Sequence, residues 1–540
     1  MRKGFKRAVA MLGAGLFALP AFACGGKPET GEGTLDIYVH KAGYGVQWCY
    51  DLADAFAKQD WVKAKYPNLK VIVTDGDQDG YVKSKLEASN NNHFDLLFGF
   101  DSNYPKNNSL LEELTEGVYN QTVPGETVTF KEKYLDSYLE MSRYIDTSGT
   151  AGADKYYVSA WASGMNGIFY NEDILNDLDM KVPNTTNELI AICNAIYENR
   201  TDGIKGDDAY EGYSFIQSQG LAYWTYLMPI WWAQYEGIDG YKNYWSGVAD
   251  NVMGSIKIFE QKGRLHSLEV FEDLLAYDKH LDPKSMSPDY TYKIAQGLYL
   301  RGNGVFHVNG DWFENEMAEK KAEIKDKEGL DYSIKLMRTP IVSELGVKLG
   351  ITDAELSAIV DYVDGTVAEA PAFISTLGLS STVVIEAVRE ARGVVQSIGA
   401  GHTSYVPSYA REKDIAQDFL LFMATDVAQD TYMKATGGSS LPFEYDVEEK
   451  NPTLYGQLTE MHKARLAYLN SDTLNVYTLP TREAYPLAKI GGLNAFSIDD
   501  YQIVLSMKNP SKSALDIYND TIAHWNPQRW DTACSKAGVK

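Results

Sequence analysis

The sequence predicts an α/β protein built as more than one lobe. Short β-rich runs alternate with helix-spaced runs, the pattern of a parallel sheet covered by helices on both faces. The chain has 540 residues, too many for a single hydrophobic core. Its hydrophobic content of 44% and aromatic content of 12% are those of a folded chain, not a disordered one.

The elements can be justified in order, beginning at the N-terminus. Arg2, Lys3, Lys6 and Arg7 precede an uncharged, largely apolar run from Ala8 to Phe22. Ala21-Phe22-Ala23-Cys24 follows, so residues 1–23 read as a secretory signal: basic start, apolar middle, small residues at the cut. The run is short for a membrane span, which takes about 20 apolar residues. Cys24 at the new N-terminus reads as a lipidation site that tethers the mature chain to a membrane. The plainer reading is a cleaved signal with an incidental cysteine. Residues 24–33, rich in glycine and polar side chains, read as a flexible tether.

Thr34–Val39 is the first predicted strand and Val46–Phe56 the first helix. Leu69–Val73, Tyr81–Ala88 and Phe94–Phe98 continue the alternation as strand, helix and strand. Ligands of such sheets sit beyond the carboxyl ends of the strands. The polar, glycine-bearing segments His40–Gly45, Thr74–Gly80 and Gly99–Tyr104 occupy that place. A second unit begins near Tyr156, with Asn166–Tyr170 as a strand. Val182-Pro183-Asn184-Thr185-Thr186-Asn187-Glu188 announces a helix over Leu189–Tyr197 by its capping residues. Tyr223–Tyr235 is aromatic-rich, and Gly304–Trp312 reads as a strand ending in a polar-aromatic turn. Val342–Glu369 is acidic and helix-prone, as an insertion would be. Ser404–Pro407 then reads as a strand and Ile415–Ala424 as a helix.

Charge and motifs exclude several functions. The formal charge is −24, and loss of the basic leader takes it to about −28. That field repels nucleic acid and anionic lipid, so no nucleic-acid partner is expected. The four cysteines (Cys24, Cys49, Cys193, Cys534) stand far apart, and no Cys/His metal spacing occurs. Catalytic-serine, zinc-protease, P-loop and dinucleotide motifs are absent, so no catalytic residue, metal or cofactor is assigned. Asp75-Gly-Asp77-Gln-Asp79-Gly80 matches the first half of a calcium loop, but Leu86 stands where glutamate is needed. Its carboxylates read better as acceptors for ligand hydroxyls, or as caps on the helix at Tyr81. Among the 10 tryptophans, Trp231, Trp232 and Trp312 are candidates to pack against a sugar ring. Burial in a core is the competing role for each.

Several segments together carry a family resemblance. They are Tyr157–Ile174 with Tyr170-Asn171-Glu172-Asp173; Val182-Pro183-Asn184-Thr185 with Glu188-Leu189; and Gly302–Trp312, with Phe306 in place of a usual methionine. Ala416–Phe422, Gly437-Gly438, Leu441-Pro442 and the closing Asn519–Gly538 complete the series. In that order the chain resembles the extracellular solute-binding proteins of carbohydrate ABC transporters, the group that includes maltose-binding protein. It departs from them at Ser159-Ala160-Trp161, where proline is usual, and in the length added by Val342–Glu369.

The resemblance implies a type II periplasmic-binding-protein fold, with a ligand cleft between two lobes. The first lobe would comprise 34–157 and 341–430, the second 158–340 and 431–540. Hinges would lie near Tyr157–Trp161 and Met337–Pro340. Tyr44, Asp75, Gln78, Asp101 and Asn103 would face the ligand from the first lobe. Trp161, Trp231, Asp311 and Trp312 would face it from the second. The implied protein is a monomeric, membrane-tethered receptor outside the cytoplasm that delivers carbohydrate to a permease. The alternative is an exported glycoside hydrolase or lyase using Asp75, Asp101 or Asp311 as catalytic carboxylates.

Overall fold

Two sheets organise the described residues, each with its own apolar core. The computed structural model describes residues 33–540 except 79, 100–108, 145–153, 202–209, 288, 398–401, 480–484, 486, 488–489, 491–500, 538 and 540. The predicted leader, the tether up to residue 32, Cys24, Asp79, Asp101 and Asn103 lie outside the described residues.

The first sheet starts as predicted. Strand β1 (Thr34–His40) is followed by helix α1 (Gln47–Lys58), β2 (Lys70–Gly76), α2 (Tyr81–Glu87) and β3 (Leu96–Gly99). β1 pairs in parallel with both β2 and β3. β1 is buried throughout, while β2 alternates between exposed and half-buried residues, as an edge strand does. α1 buries Trp48, Cys49, Leu52, Ala53 and Phe56, the i, i+3/i+4 stripe of an amphipathic helix. β4 (Val158–Ala160) reaches this sheet from later in the chain.

The second sheet gathers β5 (Asn166–Asn171), β6 (Tyr213–Phe215), β7 (Gly304–Gly310) and β8 (Ile334–Leu336), with β9 (Val394–Gln396) and a strand at Tyr477–Leu479. β5 is central and antiparallel to β7, β8 and β9. β10 (Thr403–Tyr405) returns to the first sheet, antiparallel to both β3 and β4. The first sheet therefore has four strands, β1 to β4, running one way and a single reversed strand, β10, between β3 and β4, in the order β2-β1-β3-β10-β4.

The chain crosses between lobes at two short links, from Ala160 to Asn166 and from Gln396 to Thr403. It crosses again between Phe443, in the first core, and Met461, in the second. The first link follows β4, beside the segment Tyr157–Trp161. The second corrects the expected hinge at Met337–Pro340. Met337 donates its N–H to Ile168 O at 3.0 Å, and Met337 and Ile341 both belong to the second core.

Two lobe assignments change with it. Residues 341–396 were expected in the first lobe but build the second core, through Leu345, Leu356, Ile359, Val360 and Val388 among others. Tyr432, Leu441 and Phe443, expected in the second lobe, pack in the first. The acidic segment is thus no loose insertion. Its helix Asp353–Val363 carries a Thr352/Glu355 capping box and buries the stripe Leu356, Ile359, Val360 and Val363. An apolar stripe of that kind fits either core equally well, and only the path of the chain selects one.

Cys49, Cys193 and Cys534 are free and buried. Among the described residues no group of His, Cys, Asp and Glu is arranged to hold a metal ion, and no helix is long and apolar enough to cross a membrane.

Candidate functional site

The two lobes meet at Tyr44. This residue stands in the loop between β1 and α1, and its hydroxyl donates to Asp311 Oδ1 at 2.8 Å. Asp311 follows β7 of the second sheet, so the bond joins the lobes. Asn315 adds a second link, its Nδ2 donating to Gly43 O at 2.9 Å. Tyr44 is 2% exposed and Asp311 is fully buried.

Aromatic rings surround the Tyr44 phenol. Trp161, Trp312 and His402 lie edge-on to it, with centroids 6.1, 6.0 and 5.2 Å away. Such edge-to-face pairs add about 0.5–1.5 kcal/mol each beyond their buried area. Trp312 is carried by the second sheet yet packs with the first core, and is 5% exposed. Glycines make the approach possible. A Cβ at Gly43 or at Gly310 would run into the Trp312 ring, and one at Gly164 would strike the Tyr44 hydroxyl.

Asp311 is also held by Arg465, whose Nη1 lies 3.3 Å from Oδ2 with both side chains fully buried. Arg465 Nη1 also donates to Ser163 O, and its Nη2 donates to Gly438 O and Ser440 Oγ. The ion pair is off-axis, so Oδ2 gains charge but no aligned hydrogen bond. Burial pushes the Asp311 carboxyl above its ordinary range, against the opposing pull of Arg465 and of the Tyr44 hydroxyl. Burial, reinforced by the Asp311 charge, pushes the Tyr44 phenol well above its usual value.

A polar-aromatic shelf continues from Trp312 on the second-lobe side. Tyr226 lies edge-on to Trp312 at 6.4 Å and stacks on Tyr223 at 5.5 Å. Both tyrosines are half-buried, as is Glu316, which accepts from Gln296 Nε2 at 2.8 Å. Burial raises the Glu316 carboxyl above its ordinary range, partly offset by that hydrogen bond. A cavity of about 690 Å³ lies elsewhere, lined by Lys133, Asp136, Ser163, Ser440, Phe443 and Tyr477 among others. Arg465 bonds its Ser163 and Ser440 walls and reaches on to Asp311.

The structure therefore brings together Tyr44, Trp161, Asp311 and Trp312. It does not bring the other described candidates to them. Trp231 is fully buried in the second core, its indole N–H bonded to Pro340 O at 3.1 Å and its ring edge-on to Phe271. It corrects the expectation of a ligand-facing indole, because helix Leu227–Glu236 is buried over eight consecutive residues. Trp161 is likewise inaccessible. It stacks on Trp48 at 4.6 Å and donates to Gly99 O at 3.0 Å. Asp75 and Gln78 are exposed at the end of β2, and Asp75 accepts from the Tyr50 hydroxyl at 2.7 Å. Helix α2 follows Gly80 at φ +71°, which supplies no side-chain cap.

Sequence reasoning missed Arg465, His402, Tyr223, Tyr226 and Glu316. Only the tyrosines left a signal, in the aromatic run Tyr223-Trp224-Thr225-Tyr226. Arg465 stands in a helix with no apolar stripe to mark its inward face.

No protein-family model and no curated protein matches the sequence. Solved structures do match in fold. The solute-binding protein RafE in complex with raffinose superposes with a TM-score of 0.52 at 13% identity, covering 92% of this chain and 99% of its own. The GacH receptor of Streptomyces glaucescens, solved unliganded and with acarbose, gives 0.52 at 14% identity over 91% and 97%. A chitin oligosaccharide binding protein gives 0.54 at 13% over 94% and 100%. These similarities establish the fold as the two-lobed α/β arrangement of such binding proteins.

Proposed function

We propose that the protein is an extracytoplasmic receptor that binds carbohydrate between its lobes and delivers it to an ABC permease. The carrying observation is the junction at Tyr44. An aromatic cage and a buried carboxylate, contributed by both lobes, meet there in a fold shared with proteins that bind raffinose, acarbose and chitin oligosaccharide.

The chemistry suits sugar. Trp312, Tyr226 and Tyr223 offer apolar ring surface for C–H faces, and Glu316 and Asn315 offer an acceptor and a donor for hydroxyls. Closing the lobes removes water, which strengthens each of these hydrogen bonds. A ligand that contacts both lobes favours the closed arrangement by its differential affinity. Asp75 and Gln78 form an outer, exposed rim at which a longer oligosaccharide is met. The anchor is a lipid on Cys24 after cleavage of residues 1–23, which holds the receptor near its permease at high effective concentration.

A glycan-degrading enzyme is disfavoured by the state of the acids. Asp311 is committed to Arg465 and Tyr44, and Asp75 to Tyr50 in open solvent. A thermal-shift titration of the full chain with raffinose, maltotriose and chitotriose tests the receptor reading. A sugar at a hundredfold excess over its Kd should stabilise the fold by about 2.7 kcal/mol. Product release from any of these glycans would sink the reading.

A further inference from the structure

We propose that Tyr44 is an internal occupant of a ring-binding subsite, filling the place that one six-membered sugar ring takes in the liganded receptor. The inference rests on the carbohydrate reading above and adds a displacement step to it. The phenol has the size of a pyranose ring and carries one hydroxyl. It is enclosed by Trp161, Trp312 and His402, and its hydroxyl is spent on Asp311.

Two further observations mark the cage as built for more than a tyrosine. The first is unspent hydrogen-bonding capacity. The Tyr432 hydroxyl is buried without a hydrogen-bond partner, and Asp311 Oδ2 has only the off-axis Arg465 charge and the neighbouring Ser439 hydroxyl, all in fully buried side chains. Tyr432 and Ser439 both lie close enough to Asp311 to act on its carboxyl or feel its charge. Unpaired buried polar atoms are costly, about 1–3 kcal/mol each. One phenol hydroxyl bonded to Asp311 Oδ1 cannot also serve Oδ2 and the Tyr432 hydroxyl, whereas a ring bearing several hydroxyls can.

The second observation is the mounting. Tyr44 sits between Gly43 and Gly45, the latter at φ +71°, in a loop whose other residues are half-buried or exposed. The loop is closed by the turn Gly45 N–H to Ala42 O at 2.8 Å and is tied by Asn315 Nδ2 to Gly43 O and by Trp48 Nε1 to Gly45 O. Glycines on both sides widen the backbone conformations open to the loop that carries the ring. The occupant competes with ligand, so the apparent affinity is the intrinsic one multiplied by the fraction of receptor with the cage vacated.

The full chain carrying Tyr44→Ala tests this, with p-cresol as the probe. A ring-sized apolar cavity takes a ring of matching size. p-Cresol should raise the melting temperature of the Tyr44→Ala chain and leave the native chain unmoved. Adding Asp311→Asn should weaken p-cresol binding at least tenfold while sparing toluene, which lacks the hydroxyl. Tyr44→Val repeats this arm should the alanine chain not fold. Tyr44→Phe keeps the ring but loses its bond to Asp311. It should bind raffinose or maltotriose at least tenfold more tightly than the native chain, with no response to p-cresol. Absence of a p-cresol shift in the cavity variants, or sugar affinity that is unchanged or weaker in Tyr44→Phe, overturns the proposal. A native chain that binds no sugar but a Tyr44→Ala chain that binds p-cresol would retain the cage and reject the carbohydrate reading alone.

Discussion

Arg465 and Asp311 form an ion pair from which solvent is wholly excluded, at the junction of two lobes whose sheets share no strand. Both side chains are buried, and each also holds a second partner: Asp311 the Tyr44 hydroxyl, Arg465 the carbonyls of Ser163 and Gly438. The pair ties the first crossover, the late turn at Gly438 and the end of β7 to one point.

Breaking that pair from one side should be severe. Asp311→Asn leaves a buried guanidinium uncompensated and is expected to cost about 3–5 kcal/mol. Arg465→Met costs as much alone, but the double variant Asp311→Asn/Arg465→Met should regain part of the loss, since no charge remains. Chemical denaturation of the three chains checks this; strictly additive losses would refute the coupling.

Trp312 and Trp231 should separate stability from recognition. Each is nearly or fully buried, so Trp→Ala costs about 3–5 kcal/mol at either place. Only Trp312→Ala should also abolish the sugar-dependent shift in melting temperature. Trp231→Ala, whose ring packs inside the second core, should keep the ligand affinity of whatever fraction stays folded.

Stability should fall as the solution is acidified below pH 6.5. Burial holds His280 and His307 down to about 4 and His462 down to about 3. All three are neutral in the native state, while the unfolded chain protonates them near 6.5. Their contribution is complete above that value and is lost as pH falls toward their folded values. The slope is up to about 1.4 kcal/mol per pH unit for each histidine. Urea midpoints measured from pH 7 to 4.5 should show it, and His307→Gln should remove about a third.

The described cysteines should be silent in the native state. Burial pushes the Cys193 thiol up to about 12 and that of Cys49 well above the ordinary range. A thiol reagent at pH 8 should label Cys49, Cys193 and Cys534 only after denaturation. Labelling under native conditions would mean that these cores open locally.

Cys24→Ala should release the protein from membranes and leave sugar affinity unchanged. Fractionation and calorimetry read the two effects separately. A loss of affinity would give the N-terminus a role beyond anchoring.

The sequence by itself determined what depends on neighbours along the chain. The β1–α1–β2–α2–β3 series, the helix entry at Asn184–Glu188, the β7 strand and its polar-aromatic end were all legible. Each is set by residue spacing, capping or turn chemistry within a few positions. Trp312 could be singled out because it ends a strand in a polar-aromatic turn, whereas Tyr44 and Asp311 were implied by the family resemblance. What the tertiary structure alone decided was which stripe meets which core and which side chains meet across the lobes. Residues 341–396 joined the second core because the chain returns at Gln396–Thr403 and not at Met337–Pro340. Trp231 vanished into a helix buried on every side, and Arg465 emerged as the counter-ion of Asp311. Such pairings rest on contacts between residues hundreds of positions apart, and no local pattern encodes them.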